Sequence, residues 1–264
     1  MKKRSAPRSL GAAGVLALLG SVAAAADYAL IYNGRVAAED CPEAAAAVAR
    51  EAGLSVRFVS DLHQLPGLLD RAAIFIIGGT DDDLDPLIAD FTPAVKKAVQ
   101  DYVRGGGCYL GICGGAYLAA TGYRENGRYV PLLGLIPAEP HEFEAGNYAE
   151  QILPIRWMGA TYPMYFQGGP AFELTAPARV QVIAKYAGGQ VAALVSSYGR
   201  GKVAAIGPHP EADAAWTDHL PRAEPWASTR HLLVELLRQM LAPEPVPAEG
   251  VQTNLAPDHP SAAR

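Results

Sequence analysis

The chain has 264 residues, of which 50% are hydrophobic, 19% charged and 8% aromatic. This composition is that of a globular protein, and it excludes a wholly disordered, collagen-like or coiled-coil chain. Because the first 26 residues hold four cations and no acidic residue, the net charge of −5 becomes −9 for the remainder. Without a later cluster of Lys and Arg, the remainder is a poor general binder of nucleic acid, and three cysteines are too few for a disulfide scaffold.

The N-terminal segment 1–26 has the pattern of a signal peptide. Residues 1–8 are cationic, residues 10–26 are small and apolar, and residues 24–26 are all alanine. Small residues at this spacing are typical of signal-peptidase sites, so we expect cleavage near Ala26/Asp27. The alternative is an uncleaved anchor, although the run is only just long enough to span a bilayer. No later segment is apolar enough to span, so we predict a periplasmic or secreted protein without stable membrane insertion after cleavage.

The first half of the remaining chain alternates predicted strands and helices. Apolar runs predict the strands 28–32, 54–59, 72–77 and 108–112. Helical spacing and glycine stops predict the helices 42–52, 62–69, 91–104 and 116–120. The unbroken apolar run at 72–77 is typical of a strand buried on both faces. This alternation implies crossover units and a parallel sheet.

The second half consists of short β-like pieces separated by turns. The pieces are 132–137, 151–156, 172–174, 180–186, 190–197 and 202–206. We expect two or more of them to extend the sheet in the antiparallel direction. Leucines at helical spacing predict a helix over 228–241, capped by Ser228 or Thr229. The Pro-rich residues 242–264 lose this periodicity and are predicted to be a disordered tail.

The clearest chemical signal is the segment Gly-Ile-Cys-Gly-Gly at 111–115. It follows a predicted strand directly and precedes a helix-compatible run. A tight strand-to-helix turn needs small neighbours and lifts Cys113 above the sheet edge, at a helix N-terminus that favours the thiolate. The N–H of Gly114 would point to an oxyanion. The alternative is a small buried cysteine in a glycine-rich turn.

A base for Cys113 is found after the strand 202–206. A cysteine nucleophile needs a base, and the base needs an orienting group. His209 could take the thiol proton and Glu211 could hold the other imidazole nitrogen. The alternative for His209 alone is a loop histidine without a role, but its place at a strand end favours the catalytic interpretation.

Two further segments lie at predicted sheet edges or loops. Gly78, Gly79 and Thr80 follow the strand 72–77, and the N–H groups near Gly79 could supply a second oxyanion donor. The acidic triplet 81–83 is interpreted as a solvated turn, because no His or Glu spacing supports a metal. The acidic segment 139–150 is likewise predicted to be a solvated loop, the alternative being selection of a cationic substrate.

The sequence resembles the class I glutamine amidotransferase-like superfamily in two places: Cys113 in its strand-to-helix turn, called the elbow below, and the later His-x-Glu of 209–211. The separation of roughly 95 residues and the order Cys, His, Glu match, whereas dienelactone-hydrolase-like enzymes place an acid before their His. The resemblance implies an α/β fold: a flavodoxin-like three-layer α/β/α sandwich, its central sheet mostly parallel with antiparallel additions in the second half. We assign this domain to residues 27–241.

A narrower resemblance is to the N-terminal domain-like family of biotin–protein ligases. It rests on the elbow with its following Ala-Tyr, on residues 165–172 and on Gly-Pro-His-Pro-Glu at 207–211. The ligase catalytic domain is absent, so ligase activity is not implied. If the fold is right, residues of 165–172 line the substrate pocket; the alternative is a turn with core aromatics. The predicted pocket residues are Thr80, Tyr117, Tyr165, Gln167, Gly168 and Gly169.

One residue departs from the superfamily pattern. Glutamine amidotransferases usually have Gln four residues after the nucleophile, where this chain has Tyr117. No synthetase domain is present to receive ammonia. We therefore expect neither glutamine-dependent transfer nor ligation.

The three cysteines differ in predicted position. Cys108 and Cys113 are too far apart along one strand to bond each other. Cys41 should share the sheet edge of Cys113, and a disulfide between these two could switch the site off in an oxidising compartment. The alternative is three free thiols.

The favoured function is an exported cysteine-dependent hydrolase of a C–N amide or peptide bond. It would act on a small-molecule or peptide substrate through Cys113, His209 and Glu211, with no cofactor or metal. The alternative is a non-catalytic ligand-binding module on the same fold, which Tyr117 and the missing partner domain support and the intact Cys-His-Glu set opposes. A thiol redox protein is a third possibility, but no Cys-x-x-Cys motif supports it. The substrate and the oligomeric state stay open.

Overall fold

The computed structural model describes residues 28–143, 147–220 and 226–243. The predicted signal peptide and all but the first two residues of the predicted tail lie outside these residues. Within them, no helix is both long and apolar enough to cross a membrane.

The first half of the chain alternates strands with helices, as predicted. Its elements are β1 (Tyr28–Tyr32), α1 (Cys41–Glu51), β2 (Ser55–Val59), α2 (Leu65–Leu69), β3 (Ala72–Ile77), α3 (Asp85–Asp90), α4 (Pro93–Arg104), β4 (Cys108–Ile112) and α5 (Gly114–Ala119). A 3₁₀ turn, Leu62–Gln64, leads into α2. Helix α4 begins where the Thr92 side chain accepts a hydrogen bond from the Val95 N–H, an N-cap that satisfies one free donor of the first turn.

The second half is mostly β-structure. Its elements are β5 (Gly122–Glu125), β6 (Arg128–Pro131), β7 (Ala138–Glu142), β8 (Gln151–Trp157), β9 (Ala160–Phe166), β10 (Pro170–Leu174), β11 (Val180–Lys185), β12 (Val191–Tyr198), β13 (Gly201–Ile206), α6 (Ala214–Thr217) and α7 (Arg230–Leu241). A 3₁₀ turn, Pro177–Arg179, precedes β11. Helix α7 begins after Thr229, one of its two predicted caps.

The main sheet is mixed, and its central strands are parallel. The order β2-β1-β3-β4-β13 continues into β12-β11-β8-β9. The first five strands pair parallel, and the later ones pair antiparallel. The predicted antiparallel extension is therefore confirmed. The parallel order is that of doubly wound folds, which bind ligands at the carboxyl edge of the strands.

Two apolar cores lie on opposite faces of this sheet. Along β3, Phe75 and Ile77 face one core while Ile74 and Ile76 face the other. Helix α4 covers the first face, and helices α1 and α7 cover the second. Because both faces are covered, β3 needs apolar side chains at nearly every position, as its sequence predicts.

The predicted strand at 132–137 is wrong. These residues form an irregular segment between β6 and β7. The N–H groups of Leu133, Gly134 and Leu135 donate to the carbonyls of Leu118, Ala120 and Ala119 at the end of α5. The apolar run is thus buried because it satisfies the last carbonyls of a helix, which a short apolar pattern cannot distinguish from a strand.

The predicted loop at 139–150 is also corrected in part. Residues 138–142 form β7, which pairs antiparallel with β10. Ala138 and Pro140 are buried and alternate with half-buried Glu139 and exposed His141, so the apolar residues of β7 face inward.

Candidate functional site

Cys113 occupies a sharp turn between β4 and α5. Its φ of 50° and ψ of −110° are unusual for a residue with a side chain. The turn packs against β3 so closely that a Cβ on Gly115 would lie 2.0 Å from the carbonyl oxygen of Ile77. Glycine at 115 is therefore required, as the sequence pattern indicates. The turn presents Cys113 at the carboxyl edge of the sheet.

His209 and Glu211 follow the neighbouring strand β13. The parallel register pairs Ile112 with Ile206, so β4 and β13 end level with each other. His209 Nδ1 lies 2.8 Å from Glu211 Oε1, and both side chains are buried. The Thr229 hydroxyl donates to the carbonyl of Pro210 at 3.1 Å, which ties this loop to the start of α7.

The His209 ring also hydrogen-bonds the Cys113 side chain. Burial lowers the pKa of His209, but the charges of Glu211 and Cys113 and the hydrogen bonds to both raise it, and the net result is a pKa of about 10. The structure thus brings Cys113, His209 and Glu211 together in the order that a nucleophile, a base and an orienting carboxylate need. At neutral pH the imidazole is protonated.

Cys41 is a fourth member of this group, although the sequence predicts no catalytic role for it. Its Sγ, a His209 ring nitrogen and a Glu211 carboxylate oxygen all lie within 4.8 Å of one another. Burial, with the charges of Glu211 and Cys113, raises the pKa of the Cys41 thiol. Cys41 therefore stays protonated at neutral pH. Its predicted place at the edge shared with Cys113 was the signal that could have included it.

Sulfur, imidazole and carboxylate donors of this kind are ligands that Zn²⁺ accepts. Two such nitrogen and oxygen ligands on a tetrahedral zinc lie about 3.3 Å apart, whereas His209 Nδ1 and Glu211 Oε1 are separated by 2.8 Å. That separation is a hydrogen bond, so the arrangement favours proton transfer.

All three cysteines are free thiols, and the disulfide between Cys41 and Cys113 stays a prediction.

A cavity of about 1150 Å³ opens above Cys113 and His209. The predicted pocket residues in its wall are Thr80, Tyr117, Tyr165, Gln167 and Gly168. Gly169 is buried instead against the Gly207 backbone, where a Cβ would lie 2.1 Å from the Gly207 oxygen.

The two glycines predicted as oxyanion donors, Gly79 and Gly114, also line the cavity. The backbone of Gly79 hydrogen-bonds the Cys41 sulfur. The Thr80 side chain lies directly against Gly114, since a Cβ there would be 2.0 Å from Thr80 Oγ1. The donor role of both glycines stays a prediction.

The turn after β9 is tied to the nucleophile and to α5. Cys113 Sγ lies 3.4 Å from the Gln167 carbonyl, and the Tyr117 hydroxyl donates to the Gly168 carbonyl at 3.3 Å. The Tyr165 hydroxyl lies 2.8 Å from Glu150 Oε1, and Glu150 Oε2 pairs with His219 at 2.7 Å. These bonds fix one wall of the cavity beside Cys113.

Comparison with known proteins agrees with this fold. A family model described as the N-terminal domain of biotin–protein ligase matches residues 29–125. No curated protein sequence matches the chain. A solved glutamine amidotransferase is 18% identical with a TM-score of 0.56, and the alignment covers 80% of this chain and 98% of that one.

Two other solved structures align over similar lengths. PurLQS from Thermotoga maritima is 14% identical with a TM-score of 0.59, covering 81% of this chain and 97% of that one. A ThuA-like protein from Bacteroides uniformis is 15% identical with a TM-score of 0.51, covering 86% and 95%. The chain therefore has the glutamine amidotransferase-like α/β fold, carries a stretch matching the biotin–protein ligase N-terminal family, and shows no ligase catalytic domain among the described residues.

Proposed function

We propose that the protein is a cysteine-dependent hydrolase that cleaves a C–N amide or peptide bond. The observation that carries the proposal is the hydrogen-bonded series Cys113, His209, Glu211 at the base of an open cavity. A buried series of this kind has a clear use in acyl transfer, whereas a ligand-binding module has no need of a base and an orienting acid.

The Cys113 sulfur, as thiolate, attacks the carbonyl carbon of the substrate. The oxyanion that forms is stabilised by backbone N–H groups at Gly114 and near Gly79. Protonated His209 gives its proton to the leaving nitrogen as the C–N bond breaks, which leaves a thioester on Cys113 and releases the amine. A water molecule, deprotonated by His209, then attacks the thioester. The acid product leaves and the thiolate and imidazolium are restored.

Glutamine-dependent transfer is not part of the proposal. Tyr117 stands where glutamine amidotransferases usually have Gln, and its hydroxyl bonds the Gly168 carbonyl. Tyr117 therefore supports the cavity wall, because its hydroxyl bonds the turn that follows β9. We also propose that the protein acts outside the cytoplasm, on the strength of its N-terminal segment.

The first test is the rate of Cys113 alkylation as a function of pH. Iodoacetamide labelling is followed by peptide mass in the wild type, in His209→Gln and in Glu211→Gln. We expect Cys113 to label rapidly well below the free-thiol pKa of about 8.5, and His209→Gln to slow it at least tenfold at low pH. Buried Cys108 in the same molecules is the internal control.

A panel of amide and peptide substrates follows, with Cys113→Ala as the inactive control. Turnover that Cys113→Ala abolishes would support the proposal. Labelling of Cys113 as slow as that of Cys108, with no effect of His209→Gln, would overturn it and favour the ligand-binding module.

A further inference from the structure

The wall of the cavity above Cys113 is strongly acidic. Ten of its lining side chains are carboxylates, and they come from five separate parts of the chain: 39–40, 81–85, 125, 139–142 and 150. Arg124 is the one Arg or Lys among the lining residues that the structure describes. His219 is paired with Glu150 and His209 with Glu211, so neither of them offsets the other nine carboxylates. The excess of negative charge therefore belongs to the site itself.

Two of these carboxylates converge close to the nucleophile. The Tyr148 hydroxyl donates to Glu142, and the negative charge of Asp82 acts on the same hydroxyl. The Tyr148 ring lies against Gly168, where a Cβ would be 2.9 Å from Tyr148 Cδ1. Gly168 follows the residue whose carbonyl contacts the Cys113 sulfur. Asp82, from the loop after β3, and Glu142, from β7, thus both act on the Tyr148 hydroxyl on the wall that borders Cys113.

Aromatic side chains lie within the same cavity. The Trp216 ring packs edge-to-face with both His209 and Tyr165, at centroid distances of 5.6 Å and 5.3 Å. Tyr148 and Trp216 both belong to the cavity wall. Aromatic faces attract cations, and they do so more strongly where water is excluded. Carboxylates around an aromatic wall form a setting for an ammonium or guanidinium group.

We propose that the substrate of this site is cationic, with an ammonium or guanidinium group near the bond that Cys113 attacks. This inference rests on the proposed function. Exposed carboxylates gathered in one cleft repel one another, and the resulting field attracts a cation and raises its local concentration. The same field repels an anionic substrate. Charge would therefore select the substrate before any contact with Cys113 is made.

The test compares reagents of equal size and opposite charge on Cys113. The cationic reagent is trimethylammonium-ethyl methanethiosulfonate and the anionic one is sulfonatoethyl methanethiosulfonate. In both reactions the Cys113 sulfur bonds the reagent sulfur and methanesulfinate leaves. We expect the cationic reagent to react at least about tenfold faster at ~0.01 M salt, and the difference to shrink at ~1 M, where the Debye length falls to about 3 Å.

A double variant and its matched control locate the effect. Asp82→Asn with Glu142→Gln removes the two converging charges, and Asp70→Asn with Glu173→Gln removes two exposed charges outside the cavity. We expect the first double variant to reduce the cationic preference at least threefold and the second to leave it unchanged. Equal rates for both reagents in the wild type, or equal effects of both double variants, would overturn the inference.

A binding measurement keeps this inference separate from the proposed function. Because Trp216 lies in the cavity wall, tryptophan fluorescence can follow titration with tri-arginine amide and with tri-glutamate. If Cys113 is unreactive, the hydrolase proposal fails, yet tri-arginine amide binding that the Asp82/Glu142 double variant weakens still supports a cationic ligand. Equal binding of the two peptides, or none, would overturn it.

Discussion

Gly115 follows Cys113 at the start of α5, and its backbone packs so closely on β3 that no side chain fits there. A Cβ there would meet the Ile77 carbonyl, and this backbone atom cannot move without shifting β3. We expect Gly115→Ala to lower the free energy of unfolding by about 1–3 kcal/mol, the range typical of overpacking. Urea unfolding of the wild type and the variant measures this difference in free energy.

Gly67→Ala in α2 is the matched control. No atom lies within 4 Å of a Cβ at this position, and alanine is favoured over glycine in a helix by roughly 0.5–1 kcal/mol. Stability should therefore be unchanged or raised. If Gly115→Ala were as stable as Gly67→Ala, the close packing of the turn on β3 would be wrong.

His209 gives stability a definite pH dependence. Its pKa is about 10 in the fold and about 6.5 in an unfolded chain. A group whose pKa is raised by folding contributes its full stability below the unfolded pKa and loses it as pH rises through the folded pKa. The contribution of His209 should thus be present below about pH 6.5 and lost by about pH 10.

We expect the free energy of unfolding to fall by at least about 1 kcal/mol more in the wild type than in His209→Gln between pH 7 and pH 10. Urea unfolding at both pH values gives the difference, and titrations of tyrosines and lysines cancel in the comparison. Parallel curves for the two proteins would show that His209 is not held protonated by Glu211 and Cys113.

At the scale of elements, the parallel sheet brings Cys41 and Cys113 to one edge. Helix α1 begins with Cys41 after β1, and Cys113 follows β4. The two thiols both lie beside His209. Peroxide would oxidise the Cys113 thiolate to a sulfenic acid, and attack by the Cys41 thiol would release water and form a disulfide.

We therefore expect mild peroxide treatment to lower the intact mass by two hydrogens and to block iodoacetamide labelling of Cys113. A thiol reductant should restore both, and Cys41→Ala should prevent the loss of mass, while Cys108→Ala should not. A mass gain of oxygen on Cys113 with Cys41 unchanged would contradict the predicted pairing.

The elements that could be predicted are those with a strong pattern. Local sequence is enough to predict the apolar strand β3, the helical spacing of α4 and α7, and the strand-to-helix turn at Cys113. Helix α3 was not predicted, because it is short and begins with Asp85 and Pro86 among acidic residues. The strand β9 was missed because its exposed half breaks the alternation.

The site was predictable in part for the same reason. Cys113, His209 and Glu211 stand at strand ends, where sequence spacing indicates an edge. Their meeting depends on β4 pairing with β13, strands separated by nearly a hundred residues, and no local pattern contains that pairing. The place of Cys41 beside His209 and the effect of the Asp82 charge on the Tyr148 hydroxyl have the same long-range origin.

At the scale of the whole molecule, charge is distributed unevenly along the chain. The first 26 residues hold four cations and no acid, while many of the carboxylates of the remainder face the cavity. Removal of the N-terminal segment would therefore change the net charge from −5 to −9 and leave a more acidic protein. Export and the proposed cationic substrate are in this way consistent with each other.

We expect the protein, expressed with its full N-terminus in a bacterial host, to be recovered from the periplasm with Asp27 as its first residue. Signal peptidase accepts small side chains at the first and third positions before the cleavage site and tolerates larger ones between them. Ala26→Phe should therefore block cleavage before Asp27, although Ala23 and Ala25 still allow cleavage one residue earlier, whereas Ala25→Phe should be cleaved before Asp27 like the wild type. Intact mass of each fraction distinguishes these results. A wild-type protein that keeps residues 1–26 would contradict export by cleavage, and equal processing of both variants would show that the site lies elsewhere.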